Sequence, residues 1–465
     1  MVRLFKKILL LLLVTFLFSC KSKEENVTET TYISGQIVNP TLDYIIFSKG
    51  SSILDTVKLD SNNFFHYKTD KIKQGLYSFK HNESQVFFIE PGDSLLMHLN
   101  TIDFDESLAY SGQGGEQNNL LMDLYLRNET ENQNLPKWYG LSTKDFESRI
   151  DSLKDIKTAE YKQFIENNEV ADEFKKVALA NLEYDYYSKK EMYGAANRSK
   201  PEKLGENYYN YRKNINFAWD ELKFYYPYYR FMNRYFENVV SSEFDIKTPV
   251  DRNSFKYNYR KIQIIDSVVT SDSIKNNLLR LNAMYYLLNA KDSEEERKFF
   301  EAFSKMNTNK KNLEEMSKIF NASVKLTAGN AIPTIQLVST ENIVKDLQSL
   351  ISKPSVLFFW SSQSTVQYKK IHNRAAELKS KYPEYDFFGI NTDTHFKKWR
   401  QTVNRSGYNP TTEFQLENLM DADKKLVLNS MNNVFILDKN GVILEGKTNM
   451  FNTNFEELLL GYLNR

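Results

Sequence analysis

Hydrophobic residues change their spacing twice along this chain, and each change restricts the fold more than any single motif does. From Tyr32 to Tyr110 the pattern is short and β-rich: Tyr32 to Val38, Tyr44 to Phe47, Leu54 to Leu59, Phe64 to Tyr67, Leu76 to Phe79, Val86 to Ile89 and Leu95 to Leu99. Breaks fall at Asn39-Pro40, Asp60 to Asn63, Lys73 to Gly75 and Glu90 to Asp93. Such spacing predicts a small β-sandwich or barrel over 32–115. From Glu116 to Leu326 apolar residues recur at helical intervals, as in Phe146, Ile150, Leu153 and Phe174, Val177, Ala178, Leu182. Helices are expected over Phe255 to Val269, Ile274 to Leu288, Glu294 to Met306 and Leu313 to Val324. Ser142 with Asp145 and Ser293 with Glu296 read as capping boxes, and Pro201 and Pro227 interrupt the run. No fixed-period repeat is present, so 116–326 reads as an all-α domain rather than a solenoid. Over 327–465 strands and helices alternate, as in an α/β fold.

Charge and sulfur set the next limits. Lys plus Arg number 61 and Asp plus Glu 60, a net charge of +1, which excludes a broadly basic nucleic-acid binder. The 465 residues contain 1 Cys and 5 His, so disulfide frameworks, Cys-rich metal sites and an internal thiol pair are excluded. His66, His81 and His98 lack metal-ligand spacing. Asp421 and Asp423 lack the Gly and distal Glu of a Ca²⁺ loop, and no Gly-rich phosphate loop occurs. No metal and no cofactor is therefore expected.

Arg3, Lys6 and Lys7 precede an apolar run from Ile8 to Phe18. A helix of that length spans roughly 16 Å, about half of the ~30 Å hydrocarbon core, as a signal-peptide h-region does. The run ends Leu17-Phe18-Ser19-Cys20. This resembles the bacterial lipoprotein lipobox, with Phe18 departing from the strict pattern. The resemblance implies a signal peptide over 1–19, cleavage before Cys20, lipidation of Cys20 and a tether over 20–31. The membrane is then one partner, held through acyl chains at ~0.8 kcal/mol per buried CH₂. The expected location is the cell envelope, at the outer membrane, periplasmic or surface-exposed. Gly35, Phe65, Gly75-Leu76-Tyr77, Phe88 to Asp93 and Tyr110-Ser111-Gly112 resemble the small β domain that precedes a thioredoxin-like domain in envelope lipoproteins.

Ala331 to Leu337 opens the last region, and Ser355 to Trp360 is an almost wholly apolar run, as in a buried central strand. A helix is expected over Thr365 to Lys381, a strand over Tyr385 to Ile390 and helices over Thr394 to Asn404 and Asn454 to Leu463. Asn433 to Leu437 and Val442 to Glu445 flank Asp438-Lys439-Asn440-Gly441, a hairpin in which Asn-Gly is expected to supply positive φ angles. The region from Gly329 to Arg465 is similar to the thioredoxin-like domain of the membrane-anchored thiol-disulfide reductase and peroxiredoxin superfamily. The fold expected overall is multidomain: an N-terminal β-sandwich-like domain, a central all-α domain and a C-terminal α/β thioredoxin-like fold.

The resemblance places a C-x-x-C motif three residues after the Trp that matches Trp360. Here those places hold Ser364, Thr365, Val366 and Gln367. Thiol-disulfide exchange proceeds by thiolate attack on sulfur, and serine has no sulfur. The family also has a cis-proline where Asn432 stands in Ser430-Met431-Asn432-Asn433. A non-proline cis bond costs ~2.5–4 kcal/mol, so a trans bond is expected there. The resemblance thus implies a kept fold, lost redox activity and a degenerate groove of Trp360, Ser361, Ser362, Gln363, Ser364, Thr365, Val366, Gln367 and Asn432.

Two replacement chemistries compete with that reading. Ser364 with His372 as base fails if one helix carries both, because eight residues separate them by ~12 Å. His395 with Ser364 and Asp393 is a conceivable cluster at the edge of the sheet. The dense aromatic residues from Tyr184 to Phe236 read as interhelical packing or as a surface for glycans or a partner, and Tyr225 to Tyr229 are too contiguous for one helix face to bury. The reading favoured is a binding or scaffolding module for an extended peptide or partner protein, with no catalytic residue. The alternatives are a thiol-disulfide oxidoreductase or antioxidant-type enzyme, an unrecognised hydrolase, or a glycan-binding surface lipoprotein.

Overall fold

The structure, a computed structural model, describes residues 29–50, 52–362, 364–428 and 434–464. It divides into two compact units. The first ends at Asn197 and takes in Glu202–Leu204 and Glu221–Phe231; the second comprises Arg198–Pro201, Gly205–Asp220 and Met232–Arg465.

The first unit opens with β1 (Thr31–Val38), β2 (Tyr44–Lys49), β3 (Ser52–Lys58), β4 (Phe64–Thr69), β5 (Gly75–His81), β6 (Glu83–Ile89), β7 (Ser94–Asn100) and β8 (Ala109–Gly112). They form two four-stranded sheets, ordered β4-β1-β7-β8 and β3-β2-β5-β6. β1 and β7 bury alternate residues, and Ile33, Ile37, Leu95, Met97 and Leu99 meet Ile45, Phe47, Phe79, Phe87 and Ile89 of the other sheet in one core. That shared core is why the period-two pattern was readable. Asn39 and Asn63 take the left-handed conformation, and Asp60 Oδ1 accepts from Asn62 N and Phe64 N at 2.8 and 2.9 Å, closing the turn. The strand β8 and the short helix Phe104–Ser107 were not anticipated.

Helices Gly115–Trp138, Thr143–Asn167 and Asp172–Ala196 complete this unit. Ser142 caps the second as expected, accepting from Asp145 N at 3.2 Å. Between the helices lies a buried charge cluster. Lys157 Nζ donates to Asn128 Oδ1 (2.8 Å), Glu131 Oε2 (2.9 Å) and Asp185 Oδ2 (3.1 Å). Lys189 pairs with the same two carboxylates. Burial raises the Asp185 pKa, but Lys189 and Lys157 outweigh it and hold the carboxyl below its ordinary value. The tyrosine run resolves by splitting: Tyr225 precedes the helix Tyr226–Ser241, so it and Tyr228 are both buried, while Tyr226 and Tyr229 are half-buried. Asn181 Nδ2 donates to the Tyr225 hydroxyl at 2.7 Å and Asn128 Nδ2 to that of Tyr226 at 3.3 Å.

The second unit contains helices Phe255–Val268, Asp272–Asn289, Ser293–Met306 and Lys310–Ser323, close to the expected spans. The capping box at Ser293 is corrected. Asp292 is the N-cap, its Oδ1 accepting from Glu294 N (2.9 Å) and Glu295 N (2.8 Å), because a carboxylate one residue earlier takes two N–H groups at once. Glu296 is instead fully buried, 3.7 Å from Lys447 Nζ.

A seven-stranded sheet follows: β9 (Gln336–Ser339), β10 (Val344–Asp346), β11 (Ser355–Trp360), β12 (Asp386–Asn391), β13 (Glu413–Leu416), β14 (Val434–Leu437) and β15 (Ile443–Thr448), ordered β10-β9-β13-β12-β11-β14-β15. β11, β12 and β13 are parallel; β9, β14 and β15 run antiparallel to their neighbours. β11 is buried throughout because both faces are covered. Val356, Phe358 and Trp360 pack with helices Thr365–Lys381, Phe396–Ser406 and Phe455–Leu463. Leu357 and Phe359 pack toward Leu326, Leu288, Ile319 and Ala322 on the other side. The β14–β15 turn differs from expectation: Gly441 alone of the pair has positive φ (+77°). Asp438 Oδ1 accepts from Asn440 N and Val442 N, both at 2.8 Å, which holds a wider turn than the two-residue kind.

Candidate functional site

Because β11, β12 and β13 are parallel, the loops that leave their C-terminal ends share one edge of the sheet, where sites in open α/β sheets tend to form. The loop after β11 carries Ser361, Ser362 and Ser364; the loop after β12 carries Asp393 and His395. Asp393 ties them together. Its Oδ1 accepts from Ser361 Oγ at 2.5 Å, and its Oδ2 accepts from Ser362 N (2.7 Å), from Ser362 Oγ and from Asn391 Nδ2 (3.1 Å). Burial pushes the Asp393 carboxyl up, yet the bonds from Ser361, Ser362 and Asn391 hold it below its ordinary value, so it is ionised near neutral pH. Asn391, fully buried, supports it further by accepting from Asp393 N at 3.0 Å and Gln415 Nε2 at 3.1 Å.

A second layer lies beneath. Trp360 ends β11 fully buried, and its Nε1 donates to Glu413 Oε2 at 3.0 Å. His372 Nε2 lies 3.2 Å from Glu413 Oε1, and His372 Nδ1 donates to the Tyr368 carbonyl at 2.7 Å. The imidazole stacks on Tyr408, with centroids 3.7 Å apart and planes 2° from parallel. A carbonyl only accepts, so Nδ1 carries the hydrogen of that contact. Burial raises the Glu413 pKa, with His372 and then Trp360 opposing. Gly389 on the adjoining strand makes room: a Cβ there would stand 2.4 Å from Glu413 Oε1.

The expected site residues divide accordingly. Ser361 and Ser362 are bound to Asp393, and Trp360 to Glu413. Ser364 precedes the Thr365–Lys381 helix without a side-chain cap bond. Thr365 is exposed, Val366 is 66% exposed and Gln367 is half-buried. Gln363 and Asn432 lie outside the described residues, as does Cys20. His372 turns inward to Glu413, and Asp393 turns to Ser361 and Ser362, so the Ser364, His395 and Asp393 cluster is not assembled. Among the described residues no three His, Cys, Asp or Glu side chains gather as a metal-ligand set. Asp393 entered only as part of that cluster, and Glu413 was missed altogether. A strand of four residues whose polar Glu413 and Gln415 are buried with the apolar Phe414 and Leu416 gives no alternating signal.

No protein-family model and no curated protein sequence matches the chain. Solved structures do. The thioredoxin domain of a thiol-disulfide oxidoreductase from Bacteroides vulgatus is 14% identical and superposes over 30% of this chain and 99% of its own, with TM-score 0.26. A thiol:disulfide interchange protein from Bacteroides sp. is 14% identical over 30% of this chain and 93% of its own, with TM-score 0.27. A thioredoxin-like protein from Bacteroides caccae is 15% identical over 59% of this chain and 94% of its own, with TM-score 0.39. The structural neighbours are thus thioredoxin-like thiol-disulfide oxidoreductases, and the single cysteine of this chain fits the lack of a C-x-x-C motif.

Proposed function

We propose that the chain is a lipid-anchored protein of the cell envelope whose thioredoxin-like domain is redox-inactive and serves to bind an extended peptide or partner protein. The observation that carries this reading is the loop after β11. Where the resemblance calls for two cysteines the chain has Ser364 and Gln367, and Asp393 holds the hydroxyls of Ser361 and Ser362 as donors. The Asp393 carboxyl, held below its ordinary value, is a weak base for the two hydroxyls that donate to it, and no bond within the described residues activates Ser364. The strand-end edge remains, with Thr365 and Val366 exposed beside a fixed loop. Lipidation of Cys20 supplies the anchor. Insulin reduction and peroxide turnover by the purified protein test the reading against a Ser364→Ala control. Rates equal to buffer for both are expected, and turnover that exceeds the Ser364→Ala control would overturn it.

A further inference from the structure

The two helices that leave this edge carry cations without counterions. Lys369 and Lys370 lie near the start of Thr365–Lys381, and Lys397, Lys398, Arg400 and Arg405 lie along Phe396–Ser406. All six are exposed, and among the described residues none has a carboxylate within ion-pair distance. Other cations of the longer helix are treated differently: Arg374 pairs with Glu377 and Glu456, Lys379 with Asp386, and Lys381 with Glu377 and Glu456. Phe396–Ser406 contains no acidic residue. In a chain with 61 basic and 60 acidic residues this is a local imbalance, not general basicity. Tyr368 and Ile371 of one helix and Trp399 and Val403 of the other pack on the same face of the sheet, so the six cations share that side and the positive ends of both helices open at the same edge. The Asp393 oxygens are taken up by Ser361, Ser362 and Asn391, and no ion pair joins that carboxylate to any of the six among the described residues.

We propose that this face selects an acidic partner: an extended peptide segment rich in Asp and Glu that crosses the strand-end edge at Val366 and lies along the cations of the two helices. The inference rests on the peptide-binding reading above and adds the chemistry of the ligand. A peptide suits the face better than a bilayer does. Trp399 is fully buried and Phe396 is packed against the core, so the basic helix has no large apolar side chain free to insert into acyl chains.

Fluorescence anisotropy of the full-length protein in detergent, with a labelled ten-residue Glu/Gly peptide and its Gln/Gly counterpart, tests the proposal. The acidic peptide binds at least about tenfold more tightly, and raising NaCl from low to physiological strength weakens it. The variant Lys397→Glu/Lys398→Glu/Arg400→Glu loses that preference; all three side chains are exposed, so the fold is kept, which circular dichroism checks. Equal binding of both peptides, weakened by Val366→Asp, overturns the acidic selectivity and leaves the peptide-binding reading standing. Binding of neither peptide overturns both. Co-sedimentation with phosphatidylglycerol vesicles without binding of the acidic peptide also overturns the proposal, in favour of a lipid surface.

Discussion

Trp360 donates its indole hydrogen bond to Glu413 at 3.0 Å, which places a buried carboxylate directly under the loop that carries Ser361, Ser362 and Ser364. The same carboxylate meets His372 at 3.2 Å, so one group satisfies two buried nitrogens. Glu413→Leu strands both and is expected to destabilise the protein by about 2–4 kcal/mol. Glu413→Gln, whose amide keeps one acceptor and one donor, is expected to cost about 1 kcal/mol. Urea denaturation with a shared slope distinguishes the two. Gly389→Ala is expected to resemble Glu413→Leu, because its methyl group would occupy the carboxylate's place.

Glu296 gives the fold a pH dependence. Burial raises its pKa from 4.5 to about 7, with Lys447 opposing. The native state then holds a proton that the unfolded chain has lost, so stability falls as pH rises from about 4.5 to about 7. The size is on the order of 3 kcal/mol. Glu296→Gln removes that slope, which melting temperatures taken between pH 4.5 and 7.5 measure.

The cluster around Asp185 works in the opposite sense. Its carboxyl is held below its ordinary value, so the stability it contributes is present at neutral pH and is lost as pH falls through its folded pKa. Asp185→Ala leaves Lys157 and Lys189 buried with Glu131 as the one carboxylate still paired to both and is expected to cost about 3–5 kcal/mol. Replacing Asp185 by Asn, which keeps an acceptor, costs less. Chemical denaturation at pH 7 checks the order.

These three groups show where sequence reading succeeds and where it stops. β1 and β7 were legible because their alternate residues face one core, as Ile33, Leu95 and Met97 do, whereas β3 is exposed along almost its whole length. The helix Thr365–Lys381 was legible because Tyr368, Ile371, Ala375 and Leu378 recur at its period. β13 was hidden because Glu413 and Gln415 spend their polarity inside, on Trp360 and Asn391, where composition suggests exposure. Glu296 looked like a capping residue because its distance from Ser293 fits; only the packing of β15 against the helices reveals Lys447 as its neighbour. The pinning of Ser361 and Ser362 by Asp393 spans 32 positions, and nothing local encodes it.

Anchoring through Cys20 has its own outcome. Metabolic labelling with a clickable fatty acid is expected to tag the wild-type protein, and Cys20→Ser is expected to lose the tag and leave the membrane fraction. A labelled Cys20→Ser variant would contradict the anchor.

The central claim is the proposed one: the thioredoxin-like domain lacks redox activity because the sulfur of its two cysteines is missing. The most direct measurement restores it: insulin reduction by Ser364→Cys/Gln367→Cys beside the wild-type protein, with dithiothreitol as electron source. The double variant is expected to form its own disulfide when oxidised and to reduce insulin above the wild-type background. Wild-type turnover equal to that of the double variant would contradict the account.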